Sequence, residues 1–263
     1  MTTPTRPKLI SQRLWQTRRA HYVAVFKKAL LLLREKAPLP ADEPNLNREL
    51  KFVVVTARLE LDPNGRFRAP GFEQQNLADP DASTIQPHEY KRPDAQWVDD
   101  DPAAPDDRHR EKSFTIECKR LGFPPSPGWK LNEQYVIDGI ERFRSTTHRY
   151  GMHTAEGLMI GYVQSMGLAA VHSEVCHHAA AKGIPGVVLS PTGWQQEGVS
   201  ELEHAFQRSF LLSPFHLTHL WLDMQDVPSL SRTAPARKPS KKSVQRSRKN
   251  ARPSQKRSVA GNG

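Results

Sequence analysis

Two short stretches decide the reading of this chain: Arg92-Pro93-Asp94-Ala95-Gln96-Trp97 and Phe114-Thr115-Ile116-Glu117-Cys118-Lys119. Each mixes apolar or β-branched residues with polar ones over a few positions, which predicts a strand. Between them, Asp99-Asp100-Asp101-Pro102 through Lys112 is polar and rich in proline and is expected to be a loop, so the two strands form a hairpin. Side chains alternate along a strand, so Glu117 and Lys119 share one face while Ile116 and Cys118 point to the other, toward a core. Asp94 opens the neighbouring strand and reaches the Glu117 face. Two carboxylates and an ammonium then converge at one sheet edge. Hard cations such as Mg²⁺ take oxygen ligands of this kind, one or two carboxylates with water and substrate phosphate completing the shell.

Pro93-Asp94 followed by Glu117-x-Lys119 resembles the signature of the PD-(D/E)xK phosphodiesterase superfamily, which includes many restriction endonucleases. The resemblance covers roughly residues 45–163. It implies an α/β fold with a restriction-endonuclease-like mixed sheet flanked by helices. It also implies a Mg²⁺-dependent nuclease, with Mn²⁺ able to substitute, whose most expected substrate is DNA, with RNA as the alternative. On that reading Asp94, Glu117 and the Cys118 carbonyl hold the metal, and Lys119 positions or helps deprotonate the attacking water. In the family a Glu on a helix before the core strands sometimes adds a metal contact, and Glu49 is the candidate here. The helix after the Glu-x-Lys strand often supplies a polar residue near the phosphate; Tyr135, Arg142 and Tyr150 are the candidates. The run Tyr135-Val136-x-x-Gly139-Ile140-x-Arg142-Phe143, followed by Met159-Ile160-Gly161-Tyr162, resembles a bacterial subset of uncharacterised restriction-endonuclease-like proteins associated with anti-phage defence. A homodimer or defence-system partner proteins are the partners this implies.

The 263 residues suffice for one sizeable core plus an extension. Hydrophobic content of 37% is low and 22 prolines is high, which predicts one domain with long loops and a non-globular portion. No apolar run is long enough to span a bilayer, and the N-terminus lacks a signal-peptide pattern. Two cysteines, Cys118 and Cys176, make no disulfide framework, so a cytoplasmic, reducing location is expected. Charge is uneven. Of the net +10, residues 231–263 carry +11 from 11 Lys and Arg with no Asp or Glu, which leaves residues 1–230 at −1.

In chain order, residues 1–8 are polar and expected to be disordered, and the α/β domain is expected over 9–228. An amphipathic helix is predicted from Leu9 to Lys36, with Leu14, Trp15, Tyr22, Val25, Phe26, Ala29, Leu32 and Leu33 at spacings of three, four and seven. Its Arg13, Arg18, Arg19, Lys27 and Lys28 read as a solvated face. A second helix is predicted over Asn45–Leu59 with Leu46, Leu50, Val53, Val54 and Ala57 inward, and Glu43 and Glu49 near its start. One short strand is expected within 66–92. After the hairpin come a helix from about Asn132 to Thr147, a buried strand over Glu156–Val163, and a helix over Leu168–Ala181. A strand at 186–189 follows, then Leu202–Leu212 as strand or helix and His216–Met224 as a strand. From Ser231 onward Ser, Arg, Lys and Pro dominate, and such a segment cannot bury enough surface to fold. Its Arg237, Lys238, Lys241, Lys242, Arg246, Arg248, Lys249, Arg252, Lys256 and Arg257 are expected to form a nucleic-acid-binding tail whose affinity depends on salt rather than sequence, the alternatives being an acidic-protein partner or a solubilising tail with no partner.

Other chemistries find less support. His172 and Cys176 stand at i, i+4 on one helix, but no second pair completes a zinc site. There is no Gly-x-Ser-x-Gly elbow, Walker loop or dinucleotide fingerprint. The main alternative is a non-cleaving nucleic-acid-binding or complex-assembly protein on the same fold. A weaker one is a structural protein in which the acidic stretch Asp99–Asp107 docks the basic tail.

Overall fold

A computed structural model describes residues 6–195, 198–209 and 212–230, with backbone alone at 6–12. The basic tail, including every position from Arg237 to Arg257, lies outside the described residues. Helix α1 spans Arg6–Glu35. It therefore begins inside the segment that composition assigns to disorder, and Pro7 is tolerated there because the first turn of a helix needs no N–H. Tyr22, Val25, Phe26, Ala29, Leu30 and Leu33 recur at threes and fours and are fully buried. Four basic positions of this helix are ion-paired: Arg18 with Asp99, Arg19 with Glu156, Lys27 with Glu201 and Lys28 with Glu60.

Helix α2 spans Glu43–Leu61 and starts where its chemistry dictates. Asp42 is the N-cap, accepting from the Asn45 N–H; Pro44 and the acidic Glu43 fill the first turn. The five positions expected inward are all buried.

The strands are β1 (Gly71–Phe72), β2 (Ala95–Asp100), β3 (Glu111–Leu121), β4 (Glu156–Val163), β5 (Val188–Leu189), β6 (Val199–Phe206) and β7 (Phe215–Asp223). They form one mixed seven-stranded sheet in the order β1-β2-β3-β4-β7-β6-β5. β3, β4 and β7 run parallel, and every other pairing is antiparallel. The hairpin loop is shorter than its composition suggests. Asp99 pairs with Lys112 and Asp100 with Glu111, so the ladder continues into the polar stretch. Of the carboxylates that stretch carries, Asp99 is bound by the Tyr22 hydroxyl, Asp101 by Lys112, Asp106 by His109 and Asp107 by Arg110. The segment after β5 resolves as a strand, β6, rather than a helix.

Between β3 and β4 the chain forms a helical segment in three parts: α3 (Leu131–Tyr135), a π-helical turn (Val136–Ile140) and α4 (Glu141–Arg144). Helix α5 covers Leu168–Ala181. There His172 Nε2–H donates to the Val187 carbonyl at 2.7 Å, with Cys176 Sγ 3.6 Å away, so this pair ties the helix to the following segment.

Two cores result, one on each face of the sheet. The first packs α1 and α2 on Ile116, Cys118, Leu158, Ile160 and Tyr162. The second packs α3, α4 and α5 on Leu121, Met159, Val163, Leu217 and Trp221. Gly161 permits this second layer: a Cβ there would stand 2.5 Å from Leu121 Cδ1 and 2.7 Å from the Trp221 ring. No helix among the described residues is long and apolar enough to cross a membrane.

Candidate functional site

The site exists because β2 is shorter than β3. Pairing stops at Ala95–Ile116, and β3 continues to Leu121 with no strand on that side. An unpaired strand edge leaves N–H and C=O groups to be satisfied by something else. Here carboxylates do it. Asp94, immediately before β2, accepts the Cys118 N–H on Oδ2 at 2.7 Å. Glu43, from the first turn of α2, accepts the Arg120 N–H on Oε2 at 3.3 Å. The Cys118 carbonyl projects from the same edge and accepts Lys119 Nζ at 2.7 Å.

Glu117 and Lys119 lie on one face, as alternation requires, and both are buried. Lys119 Nζ donates to Glu117 Oε1 at 2.7 Å and to Glu43 Oε1 at 2.9 Å. From α4, Arg142 Nη1 donates to the same Glu117 oxygen at 2.5 Å. The other oxygen, Glu117 Oε2, is buried with no hydrogen-bond partner. Asp94 is oriented by Asn47, whose Nδ2 donates to Oδ1 at 3.1 Å; Tyr162 in turn donates its hydroxyl to Asn47 Oδ1 at 2.9 Å. The helical segment approaches closely because Gly139 lies in its π turn. A Cβ at that position would stand 2.6 Å from Met159 Cε and 3.4 Å from Lys119 Cγ. Such single π turns recur at functional positions in helices.

Burial, then the charge of Asp94, pushes Glu117 up to about 8 against the pull of Lys119 and Arg142. Burial likewise raises Asp94, opposed by Lys119 and the Cys118 N–H. For Lys119 burial acts downward, but Glu117, Glu43 and Asp94 outweigh it and hold the ammonium above its ordinary value. Lys119, Glu43 and Arg142 line an open cleft of about 480 Å³ together with Asp42, Arg120 and Trp129 among others, and the fully buried Glu117 meets it through its bonds to Lys119 and Arg142.

Of the residues expected from sequence, Asp94, Glu117, the Cys118 carbonyl, Lys119 and Arg142 meet here. Glu49 does not. It stands away from the cleft, paired with Lys36 and Arg48. Position 49 is six residues beyond Glu43, which rotates it about 120° around the helix. Tyr135 does not reach the cleft either: it is fully buried, donates to His219 Nδ1 at 2.7 Å and accepts from Trp221 Nε1 at 3.0 Å. Tyr150 is buried, close to Arg142 and Glu117. Sequence reasoning passed over Asn47 and Tyr162 and set Glu43 behind Glu49. The available signal was the spacing of Glu43 and Asn47, four residues apart and therefore on one stripe once Asp42 is recognised as the cap.

Among the described residues no group of three or more His, Cys, Asp or Glu is arranged to hold a metal. The reason is visible: the Lys119 ammonium itself draws Glu43, Glu117 and the Cys118 carbonyl around it. The donor set is nonetheless all oxygen, as a hard divalent cation requires, and the buried, unpartnered Glu117 Oε2 is the atom a cation would satisfy. The residues present fit such an ion. Comparison of the chain with models of protein families, with curated proteins and with solved structures yields no match.

Proposed function

We propose that this protein is a divalent-cation-dependent nuclease of the PD-(D/E)xK type that hydrolyses phosphodiester bonds, DNA being the first expected substrate and RNA the alternative. One observation carries the reading. Asp94, Glu117 and Lys119 stand in the order the signature requires and meet at an open strand edge, where Lys119 lines a solvent-accessible cleft. The order α2, β2, β3, α3–α4, β4, with β4 parallel to β3, supports a restriction-endonuclease-like core.

Asp94, Glu117, Glu43 and the Cys118 carbonyl would hold Mg²⁺, with Mn²⁺ able to substitute. When bound, the ion would neutralise phosphate charge and acidify a coordinated water. The chain's own residues do the rest. Asn47 and the Cys118 N–H fix both oxygens of Asp94. Arg142 clamps Glu117 and offers remaining donors to a phosphate oxygen. Lys119, released from Glu43, would direct its ammonium at the attacking water and the phosphoryl oxygen as the ester P–O bond breaks. Homodimerisation, a role in anti-phage defence and a cytoplasmic site of action belong to the same proposal.

A second reading has one observation in its favour. Lys119 already neutralises Glu43 and Glu117, so the chain satisfies most of its own carboxylates without a cation, as a non-cleaving nucleic-acid-binding protein would. Plasmid and single-stranded DNA incubated with Mg²⁺ or Mn²⁺ separate the two. Wild type should cut, and Lys119→Ala and Asp94→Ala should each lose roughly 10²-fold or more. Lys119→Ala should still bind Mn²⁺ at least as tightly as wild type, whereas Asp94→Ala should not. A wild type that binds DNA yet never cuts with either metal hands the protein to the second reading.

A further inference from the structure

The cleft contains one feature that cation chemistry does not use. Trp129 forms part of its wall, alongside Lys119, Gln134 and Arg142, with 48% of its surface exposed. The other described tryptophans differ. Trp97 and Trp221 are fully buried, and the indole N–H groups of Trp15, Trp97 and Trp221 donate to Glu156, the Arg68 carbonyl and the Tyr135 hydroxyl. Trp194 is partly buried and stacks on Trp221. Among the described residues Trp129 has neither a side-chain hydrogen bond nor a ring partner.

Its exposure is built rather than accidental. Ser126-Pro127-Gly128-Trp129 is a type II turn: proline presets the first central position, Gly128 takes φ +83° at the second, and the Trp129 N–H closes on the Ser126 carbonyl at 3.1 Å. The next residue, Lys130, is the N-cap of α3. The turn and the helix start thus fix the backbone on both sides of Trp129. An exposed, unpartnered indole beside cationic groups is the arrangement that stacks on nucleobases, and every base presents a suitable face. A base paired within a duplex has both faces covered and offers none.

We infer that Trp129 is a stacking platform for an unpaired nucleobase, so that the strand entering the cleft is single-stranded next to Lys119. This rests on the nuclease reading and narrows its substrate to single strands, frayed ends or flaps. Gln134, on the same wall, adds an amide that can hydrogen-bond a base edge, and Arg142 marks the phosphate side.

The test uses the full chain and three probes: dT12, rU12 and a blunt DNA duplex. Cleavage of the single strands should fall in kcat/KM by roughly 5- to 150-fold in Trp129→Ala, the loss of one stacked base, and should be largely retained in Trp129→Phe. Duplex cleavage should change much less. In parallel, tryptophan emission of the wild type should be quenched by whichever single strand is the substrate, and that quench should be absent in Trp129→Phe. Equal losses on single strands and duplex, or identical quenching in wild type and Trp129→Phe, overturn the inference. If the wild type cuts nothing, the nuclease reading falls, and the quench alone then decides whether Trp129 stacks. The dT12 and rU12 arms tell DNA from RNA.

Discussion

Asn47 occupies the position where a single side chain sets the geometry of the whole site. It donates to Asp94 and accepts from Tyr162, so Asp94 is oriented by a group that is itself held in place. Groups that orient metal-binding carboxylates usually matter by 10- to 100-fold. Asn47→Ala should therefore weaken Mn²⁺ binding by roughly that factor, read by titration calorimetry, with little change in unfolding midpoint. Unchanged affinity would show that Asp94 is held by the Cys118 N–H alone. The residue scale is also where the sequence was most and least readable. Glu117 and Lys119 follow from the two-residue period of a strand, which nothing else can override. Glu43 and Asn47 depend on where α2 begins, and without its cap at Asp42 the sequence does not choose between Glu43 and Glu49. Tyr135 and Arg142 are seven residues apart and would share a stripe in a regular α-helix, but the π-helical turn Val136–Ile140 lies between them, and Tyr135 enters the core while Arg142 lines the cleft.

The elements are held at their distances by small residues as much as by large ones. Gly161 lets the Trp221 ring lie against β4, and Trp221 is fixed by its hydrogen bond to the buried Tyr135. Gly161→Ala should cost about 1–3 kcal/mol of stability, since the ring cannot retreat through a packed core. Urea unfolding measures this directly, and a neutral result would mean the second layer yields more than its packing suggests. Two glycines in an apolar run identified β4 as a buried strand. What the sequence did not disclose is the end of β2. Asp99 and Asp100 look like loop, yet they pair in the ladder, while the opposite end stops one residue after Asp94 and so opens the edge on which the site depends.

At the scale of the molecule, the second core carries a pH dependence. His204 and His219 are buried with ring centroids 5.5 Å apart, and His204 Nδ1 and His219 Nε2 have no hydrogen-bond partner. Burial brings His204 down to about 4, with the nearby Arg144 acting the same way, and depresses His219 well below its ordinary value. Above pH 6.5 both imidazoles are neutral in folded and unfolded chains. As pH falls from 6.5 toward 4 the unfolded chain takes up protons that the folded one refuses, so stability declines across that window. The share of His204 alone is on the order of 3 kcal/mol. Urea midpoints measured from pH 8 to pH 4.5 should fall steeply for wild type and less steeply for His204→Phe. Parallel curves would place the acid sensitivity elsewhere.

The sheet separates two cores, one on each face. Four side chains bypass that partition: Glu43 from the α2 layer, Lys119 and Glu117 from β3, and Arg142 from the α4 layer, linked in sequence by hydrogen bonds. They act as a clasp around the free edge of β3. Opening either layer at that end must undo the clasp, and a ligand that tightens it must slow opening of both. Occupancy of the cleft should therefore register as slower amide exchange in α2 and α4 together, two helices on opposite faces of the sheet.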